Sequence, residues 1–175
     1  MHRGCGNSGG SRPMTCVVGL IDNGKVYIGA DSAASAGENI EIRTNRKVFR
    51  NGVYVIGFTG SYRVGQLMQY TALAKPTGKD VLQHLVLNVV DKLKELSGKD
   101  IDELLIGHGG RLFKISSDYS VAEFASHAAV GSGARYALGR LHGALGNPDG
   151  RILAALEAAE ANCTGVRPPF HIEMA

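Results

Sequence analysis

The chain is 175 residues long with 44% hydrophobic and 20% charged residues, values typical of one globular domain with a substantial core. Its formal net charge of +3 is misleading, because Arg3 and Arg12 supply two of these charges and the 17 Lys and Arg residues from Thr15 onward nearly balance the 16 Asp and Glu. This balance gives no argument for nucleic acid as a partner, and no apolar run is long enough to span a membrane.

The first fourteen residues differ in composition from the rest of the chain. They are rich in Gly and Ser and poor in apolar residues, which predicts a flexible extension, and they lack the apolar core of a secretory signal. Two interpretations remain open. Met14 is the true start, and its removal exposes Thr15; or residues 1–14 are a propeptide removed by self-cleavage. In both, residues 15–175 form a single domain.

Paired strands and paired helices alternate along this domain. Asn-Gly between two apolar, β-branched runs is a strong hairpin signal, and it occurs at Asn23-Gly24 and at Asn51-Gly52. A third hairpin is predicted to turn through His108-Gly109-Gly110. The predicted strand pairs are residues 15–21 with 25–30, 47–50 with 53–58, and 103–107 with 111–116.

Four helices follow from apolar residues at helical spacing. They are predicted over about residues 62–74, 81–97, 134–145 and 148–162, and the last has Asn147 as N-cap and Pro148 at its first position. A final strand is predicted over 169–173. This order predicts an α/β (α+β) fold, a four-layer αββα sandwich in which two stacked, mainly antiparallel sheets lie between helix layers.

The candidate chemistry begins at Thr15. Asp31 stands sixteen residues after it and Lys47 thirty-two residues after it, and a Gly-Ser-Gly sequence has Ser132 at its centre. A threonine hydroxyl is a weak nucleophile that needs a base, and the α-amine of an N-terminal threonine can take this proton. The extension must therefore be absent before Thr15 can act, since an amide nitrogen cannot serve as base.

The sequence from Thr15 to Ser32 resembles the start of mature catalytic β-subunits of the proteasome and of bacterial HslV-type peptidases, both N-terminal-nucleophile hydrolases. The resemblance extends to the C-terminus and is nearest to compact bacterial or phage proteasome-like proteins. Further matching segments come in the family's order at residues 46–49, 56–60, 129–139 and 155–159.

The resemblance implies a role for each matching residue. Thr15 is the nucleophile that forms an ester acyl-enzyme, with its own α-amine as base, and Lys47 stabilises the developing alkoxide while Asp31 holds it in place. The backbone N–H of Gly57 is expected to face the oxyanion. Ser132 is expected to donate or accept a hydrogen bond near the Thr15 amine.

Thr164 matches a serine or threonine of the same amine-side network. Proteasome subunits usually carry an aspartate three residues before that position, where this chain has Ala161 followed by the polar Asn162. This departure bears on the rate and on the pKa of the amine more than on the identity of the nucleophile.

The resulting interpretation is a threonine-type endopeptidase that cuts polypeptides inside a ring-forming homo-oligomer, with an ATP-dependent unfoldase as a possible partner. Two other classes remain open, a non-catalytic scaffold subunit and a small-molecule amide hydrolase of the same fold. A nucleophile at Cys16 requires trimming by one further residue. The Gly-Ser-Gly sequence is also compatible with a helix N-cap or a phosphate-binding loop, although it lacks the lysine of a P-loop.

No cofactor or metal is implied, because the three cysteines and six histidines show no ligand spacing. The odd cysteine count, without metal-ligand spacing, predicts free thiols in a reducing compartment and hence a cytoplasmic protein. The balanced charge and the lack of a long apolar run predict no nucleic-acid or membrane partner. Cys163 is expected to be a buried small hydrophobic residue.

Overall fold

The computed structural model describes residues 14–36, 39–98 and 101–175. The predicted flexible extension therefore lies outside the described residues, except for Met14, and its flexibility stays a prediction. Eleven strands and five α-helices are assigned within the described part of the chain.

The strands are β1 (Val17–Asp22), β2 (Lys25–Ala30), β3 (Ala33–Ala36), β4 (Asn39–Ile42), β5 (Val48–Asn51), β6 (Tyr54–Phe58), β7 (Leu104–His108), β8 (Arg111–Ile115), β9 (Val121–Phe124), β10 (His127–Val130) and β11 (His171–Met174). The helices are α1 (Tyr62–Tyr70), α2 (Val81–His84), α3 (Val90–Ser97), α4 (Ala134–Leu141) and α5 (Pro148–Asn162), and a π-helical segment, Leu85–Val89, joins α2 to α3.

The strands form two main antiparallel sheets. Sheet I has the order β10-β1-β2-β11, sheet II has the order β5-β6-β7-β8-β9, and β3 and β4 form a separate hairpin. In sheet I, Val17 pairs with Ala30 on one side and with Val130 on the other. The start of β1 thus lies between the ends of β2 and β10.

The two sheets stack face to face, and helices cover their outer faces. One buried apolar cluster joins the facing sides of the sheets, with Val17 and Ile28 from sheet I and Val55 and Leu105 from sheet II. A second cluster packs α4 and α5 on sheet I, and a third packs α1 to α3 on sheet II. The predicted four-layer α+β architecture is confirmed.

Close approach of the sheets depends on missing side chains at the facing positions. A Cβ atom added at Gly57 would lie 2.5 Å from Val17 Cγ1, and one added at Gly19 would lie 2.8 Å from Leu112 Cδ1. Both separations are far below van der Waals contact, so these two positions accept only glycine without movement of the opposite sheet.

The first and third predicted turns are found where the sequence places them. Asn23 and Gly24 have φ of 48° and 71°, the left-handed values of a two-residue hairpin loop. The second turn is displaced by one residue, since Asn51 is the last residue of β5 and pairs with Tyr54. Its side-chain amide donates to the carbonyls of Met68 (2.6 Å) and Thr71 (2.8 Å), so it ties β5 to the end of α1.

Several helix ends and four short strands differ from the prediction. The first helix ends at Tyr70 rather than 74, because Thr71 is extended, and the third ends at Leu141 rather than 145, because His142 is extended. Strands β3, β4, β9 and β10 were not predicted. No helix in the described ranges is both long and apolar enough to cross a bilayer.

Candidate active site

Thr15 lies at the edge of sheet I, directly before β1. The pairing of β1 with β2 and β10 brings the residues that follow those strands beside it, Asp31 on one side and Ser132 on the other. Thr15 is only 4% exposed. Residues separated by more than a hundred positions in sequence therefore surround one hydroxyl because three strands of one sheet end together.

Lys47 reaches this point from sheet II. It directly precedes β5, and the backbone N–H of Phe58 donates to its carbonyl (3.0 Å), which holds it against β6. Its Nζ donates to Thr15 Oγ1 at 2.9 Å and to Asp31 Oδ1 at 2.9 Å. The Lys47 and Asp31 side chains are 2% and 0% exposed, so this is an ion pair without solvent screening.

The Asp31 carboxylate accepts backbone hydrogen bonds as well. Cys16 N–H donates to Oδ1 (3.0 Å), and the N–H groups of Ala33 (3.0 Å) and Arg167 (3.4 Å) donate to Oδ2. Burial raises the pKa of Asp31 from its ordinary value, and the Lys47 ammonium with the amides of Cys16 and Ala33 opposes this rise. The carboxylate is thus fixed in orientation on both oxygens.

Burial acts on Lys47 in the opposite sense. It lowers the pKa of the Lys47 ammonium, and Asp31 opposes the change through its charge and its hydrogen bond. A desolvated ammonium 2.9 Å from a hydroxyl oxygen is placed to stabilise negative charge that develops there. The position therefore suits the activation of Thr15 as a nucleophile.

The Gly-Ser-Gly turn holds the backbone of Thr15. Thr15 N–H donates to Ser132 Oγ (3.3 Å), and Gly133 N–H donates to the Thr15 carbonyl (3.2 Å). Gly131 has φ of 91°, and a Cβ atom there would lie 2.3 Å from the Thr15 carbonyl oxygen. The Gly-Ser-Gly motif predicts a role for Ser132, and the structure adds roles for Gly131 and Gly133 that the sequence reasoning does not assign.

Thr164 lies near Met14, and no described hydrogen bond joins its side chain to the nitrogen of Thr15. Its Oγ1 is 4.0 Å from Met14 Sδ, and a Cβ atom added at Gly165 would lie 1.9 Å from Met14 Cβ. Asn162 is exposed and donates back to the Ala158 carbonyl of its own helix (2.8 Å). The Asn162 amide is thus engaged with its own helix.

Gly57 is not brought to the Thr15 hydroxyl. Gly57 lies inside β6 and pairs with Val48 of β5 and Leu105 of β7. Successive N–H groups of a strand point to opposite neighbours, and Phe58 N–H points toward β5. The Gly57 N–H therefore points toward β7. The residue after β6, Thr59, does lie near Thr15, because both contact the same point at Gly131. A Cβ atom added there would lie 2.3 Å from the Thr15 carbonyl oxygen and 3.3 Å from Thr59 Cγ2. The glycine that follows at this end is Gly60, with φ of 73°.

The two described cysteines have different surroundings. Cys16 is fully buried on the helix-facing side of β1, and burial raises the pKa of its thiol far above the ordinary value. This environment is opposite to that of a nucleophilic cysteine. Cys163, expected to be a buried hydrophobic residue, is half-buried, and its Sγ lies 3.2 Å from Ser132 Oγ.

A cleft of about 420 Å³ opens beside Ser132. Gly131 and Thr59 also border it, and its charged lining residues are Asp102, Glu103 and Arg135. Glu103 pairs with Lys114 across the strands at 3.2 Å. No group of three or more His, Cys, Asp or Glu residues in the described ranges is arranged to hold a metal ion.

Neither a protein-family model nor a curated protein sequence matches this chain. Solved structures do match over nearly its whole length. BPH from Thiobacillus denitrificans, solved in complex with epoxomicin, is 22% identical with a TM-score of 0.77, over 92% of this chain and 98% of that chain. HslV from Trypanosoma brucei is 15% identical with a TM-score of 0.71, over 91% and 98%. Anbu (ancestral beta-subunit) from Yersinia bercovieri is 17% identical with a TM-score of 0.69, over 92% and 81%.

These three proteins are N-terminal-nucleophile hydrolases of the proteasome type. Identities of 15 to 22% show a common fold and no finer property. The fold predicted from the order of strands and helices, and implied by the family resemblance, is the fold that the comparisons find. The chain therefore has the fold of the proteasome-type N-terminal-nucleophile hydrolases.

Proposed function

We propose that this protein is a threonine-type endopeptidase whose nucleophile is the hydroxyl of Thr15. One observation carries the proposal: Lys47 Nζ lies 2.9 Å from both Thr15 Oγ1 and Asp31 Oδ1, in a buried site. A fully buried lysine is rarely retained for stability alone. Lys47 contacts the Thr15 hydroxyl, and a positive charge in this position stabilises the negative charge that develops on a nucleophilic hydroxyl oxygen.

The reaction follows from the groups around Thr15. Once residue 14 is absent, the α-amine accepts the proton of Oγ1 as that oxygen attacks the scissile carbonyl, and the amine then gives the proton to the leaving amine. An ester between Thr15 and the substrate remains, and water activated by the same amine hydrolyses it. Lys47 lowers the free energy of the alkoxide, and Asp31 keeps Lys47 oriented.

The residue before Thr15 decides whether this chemistry can begin. While Met14 is attached, the nitrogen of Thr15 is an amide that donates to Ser132 Oγ (3.3 Å) and holds no basic lone pair. A chain that keeps residue 14 is expected to be inert toward peptides. Both routes to a free Thr15, trimming of an initiator Met14 and self-cleavage of a propeptide, lead to the same active species.

A peptide epoxyketone tests the proposal directly, because it reacts with both the hydroxyl and the α-amine of an N-terminal threonine. Epoxomicin is such a compound, and one similar structure is BPH in complex with it. Intact mass spectrometry of the purified 1–175 chain, with and without epoxomicin, is expected to show a protein that begins at Thr15 and gains one inhibitor mass. A chain that begins at Thr15 and gains no mass would contradict the proposal.

Thr15→Ala supplies the matched control. This variant is expected to lose peptide hydrolysis by several orders of magnitude and to take up no epoxomicin, while it retains the thermal stability of the parent protein. Thr15→Ser is expected to retain the adduct, since it keeps both reacting groups. Wild-type turnover in Thr15→Ala would show that another residue is the nucleophile.

The assembly is proposed on the same basis. The HslV and proteasome-like neighbours form rings, which supports a homo-oligomer. We expect a large particle with peptidase activity by light scattering after gel filtration, with polypeptides as substrates and an ATP-dependent unfoldase as partner. A small active species would instead favour a small-molecule amide hydrolase, and a large inert particle would favour a scaffold subunit.

A further inference from the structure

Among the described side chains, only Ser132 forms a hydrogen bond with the nitrogen of Thr15. The Ser132 hydroxyl has three polar neighbours. Its Oγ lies 3.3 Å from Thr15 N, 3.4 Å from the Thr15 carbonyl oxygen and 3.2 Å from Cys163 Sγ. A serine hydroxyl has one proton and two lone pairs. The direction of that single proton therefore decides what Ser132 presents to Thr15.

Two directions matter for the proposed chemistry. If the Ser132 proton points away from Thr15, the Ser132 oxygen accepts an N–H of the α-amine, and the nitrogen lone pair is left to take the proton of Oγ1. If the proton points at the nitrogen, it occupies that lone pair, which is then unable to act as base. Two acceptors can draw the proton away from the nitrogen and so select between these states, the Thr15 carbonyl and a nearer partner on the far side of Ser132.

Cys163 is that partner. It follows the last residue of α5, and its backbone is fixed, because its carbonyl accepts from Val166 N–H (3.2 Å) and from Arg167 Nη1 (3.4 Å). The Thr15 carbonyl already accepts from Gly133 N–H (3.2 Å) and is the more distant acceptor for the Ser132 proton. Cys163 Sγ lies 3.2 Å from Ser132 Oγ, and a thiol sulfur at this distance is able to accept the Ser132 proton in a weak hydrogen bond.

We propose that Cys163 is a positioning residue that accepts the Ser132 hydroxyl proton and so keeps the Ser132 oxygen turned as an acceptor toward the nitrogen of Thr15. This inference rests on the proposed function. It assigns to Cys163 an influence on the Thr15 amine, toward which no described hydrogen bond from Ala161 or Asn162 is directed. The described side-chain contact of Cys163 is with Ser132 and not with Thr15. Its effect reaches the reaction through Ser132.

The pKa of the Thr15 α-amine is the quantity that reports this role. An oxygen that accepts from the amine stabilises the ammonium form and raises this pKa, whereas a hydroxyl that donates to the amine lowers it. The other ionisable groups that face Thr15 or the adjoining cleft are retained in a variant at residue 163. They are Lys47, Asp31, Cys16, Arg167, Asp102, Glu103 and Arg135.

The test uses protein shown by intact mass to begin at Thr15, produced from the 1–175 chain or from a chain started at Met14. We expect Cys163→Ala to shift the acid limb of the kcat/KM profile, which reports the free base, to lower pH by about 0.5 to 1 unit and to lower kcat several-fold. Cys163→Ser retains an acceptor and is expected to restore both values. Equal shifts in Ser132→Ala and the Ser132→Ala/Cys163→Ala double variant would show that the two residues act as a unit.

A second measurement does not depend on turnover. The pH dependence of Thr15 α-amine acylation, followed by mass spectrometry with an amine-reactive reagent, gives the amine pKa in active and inactive protein alike. A wild-type protein that is inert toward peptides would end the proposed function, while a lower amine pKa in Cys163→Ala would still support the hydrogen-bond role. An unchanged amine pKa in Cys163→Ala, or no recovery in Cys163→Ser, would overturn the inference, and a loss of thermal stability alone would show a packing role.

Discussion

The ion pair between Lys47 and Asp31 links the stability of the fold to the proposed activity. Both side chains are inaccessible to solvent, and Asp31 also accepts three backbone N–H groups. Removal of one partner leaves the other as a buried, unpaired charge, which is far more damaging than the loss of an exposed pair.

Lys47→Ala is therefore expected to lower the free energy of unfolding by about 3–5 kcal/mol and to lower kcat about a hundredfold or more. Urea denaturation and peptide hydrolysis measure the two effects. Adding Asp31→Asn to Lys47→Met separates them, since asparagine keeps an acceptor for Cys16 N–H without a charge. This double variant is expected to recover most of the stability and none of the activity; recovery of activity would show that Lys47 is only structural.

One buried tyrosine, Tyr54, and one partly buried tyrosine, Tyr62, predict a loss of stability at high pH. Burial raises the pKa of Tyr54 to about 12, and burial with the nearby Asp31 carboxylate raises that of Tyr62 to about 12. A phenol whose folded pKa exceeds its unfolded value of 10.0 adds stability that is present below pH 10 and lost as pH rises toward 12. Absorbance titration at 295 nm is expected to show two late ionisations, one of which disappears in Tyr54→Phe and the other in Tyr62→Phe. Loss of neither would contradict the burial argument.

The sequence predicts part of this site from local structure and the rest from a resemblance. Thr15 precedes β1 and Asp31 follows β2, so the β1–β2 hairpin brings these two residues together. Lys47 precedes β5 in the other sheet, and only the family resemblance predicts its place at Thr15. Gly57 shows the limit of this reasoning. A glycine inside a strand and a glycine after it look alike in sequence, and only the register with Val48 and Leu105 shows that Gly57 belongs to the sheet interface.

At the scale of strands and sheets, glycine at the sheet interface determines how closely the two sheets stack. Gly57→Ala places a Cβ atom 2.5 Å from Val17 Cγ1, so we expect the free energy of unfolding to fall by about 1–3 kcal/mol. Gly139→Ala is the matched control, because it lies in α4 with no atom within 4 Å of the added Cβ, and it is expected to raise stability by about 0.5–1 kcal/mol. Thermal unfolding distinguishes the two, and equal effects would refute the packing argument.

The same local chemistry explains which elements could be predicted. The Asn-Gly and Gly-Gly turns sit in left-handed backbone that other residues avoid, and the α5 N-cap, Asn147, accepts from Gly150 N–H (2.7 Å), so these elements carry strong local signals. Strands β4 and β9 are short, and their residues are partly or fully exposed, so they show no apolar run. Their positions follow from pairing with β3 and β8, which is a tertiary effect.

At the scale of the whole molecule, the residue before Thr15 is part of the packing. Met14 lies against Gly165, where an added Cβ atom would be 1.9 Å from Met14 Cβ. Gly165→Ala is therefore expected to destabilise a chain that retains Met14 by about 1–3 kcal/mol and to change a chain that begins at Thr15 by less than about 0.5 kcal/mol. Gly78→Ala, with no atom within 4 Å, is the control whose effect should not depend on the first residue. Equal Tm changes in both chains for Gly165→Ala would contradict the contact.

The burial of Thr15 also sets an order of events during synthesis. The turn that covers Thr15 is supplied by Ser132 and its neighbours, 117 residues later in the chain. At about 5–20 residues per second, a ribosome needs roughly 6–23 s to make this stretch, and during that time the bond between Met14 and Thr15 is still accessible to an aminopeptidase. Self-cleavage, in contrast, can start only after the turn and Lys47 have docked. If residue 14 is removed by an aminopeptidase, the removal belongs to the interval before the Gly-Ser-Gly turn docks. If it is removed by self-cleavage, the removal belongs to the interval after docking.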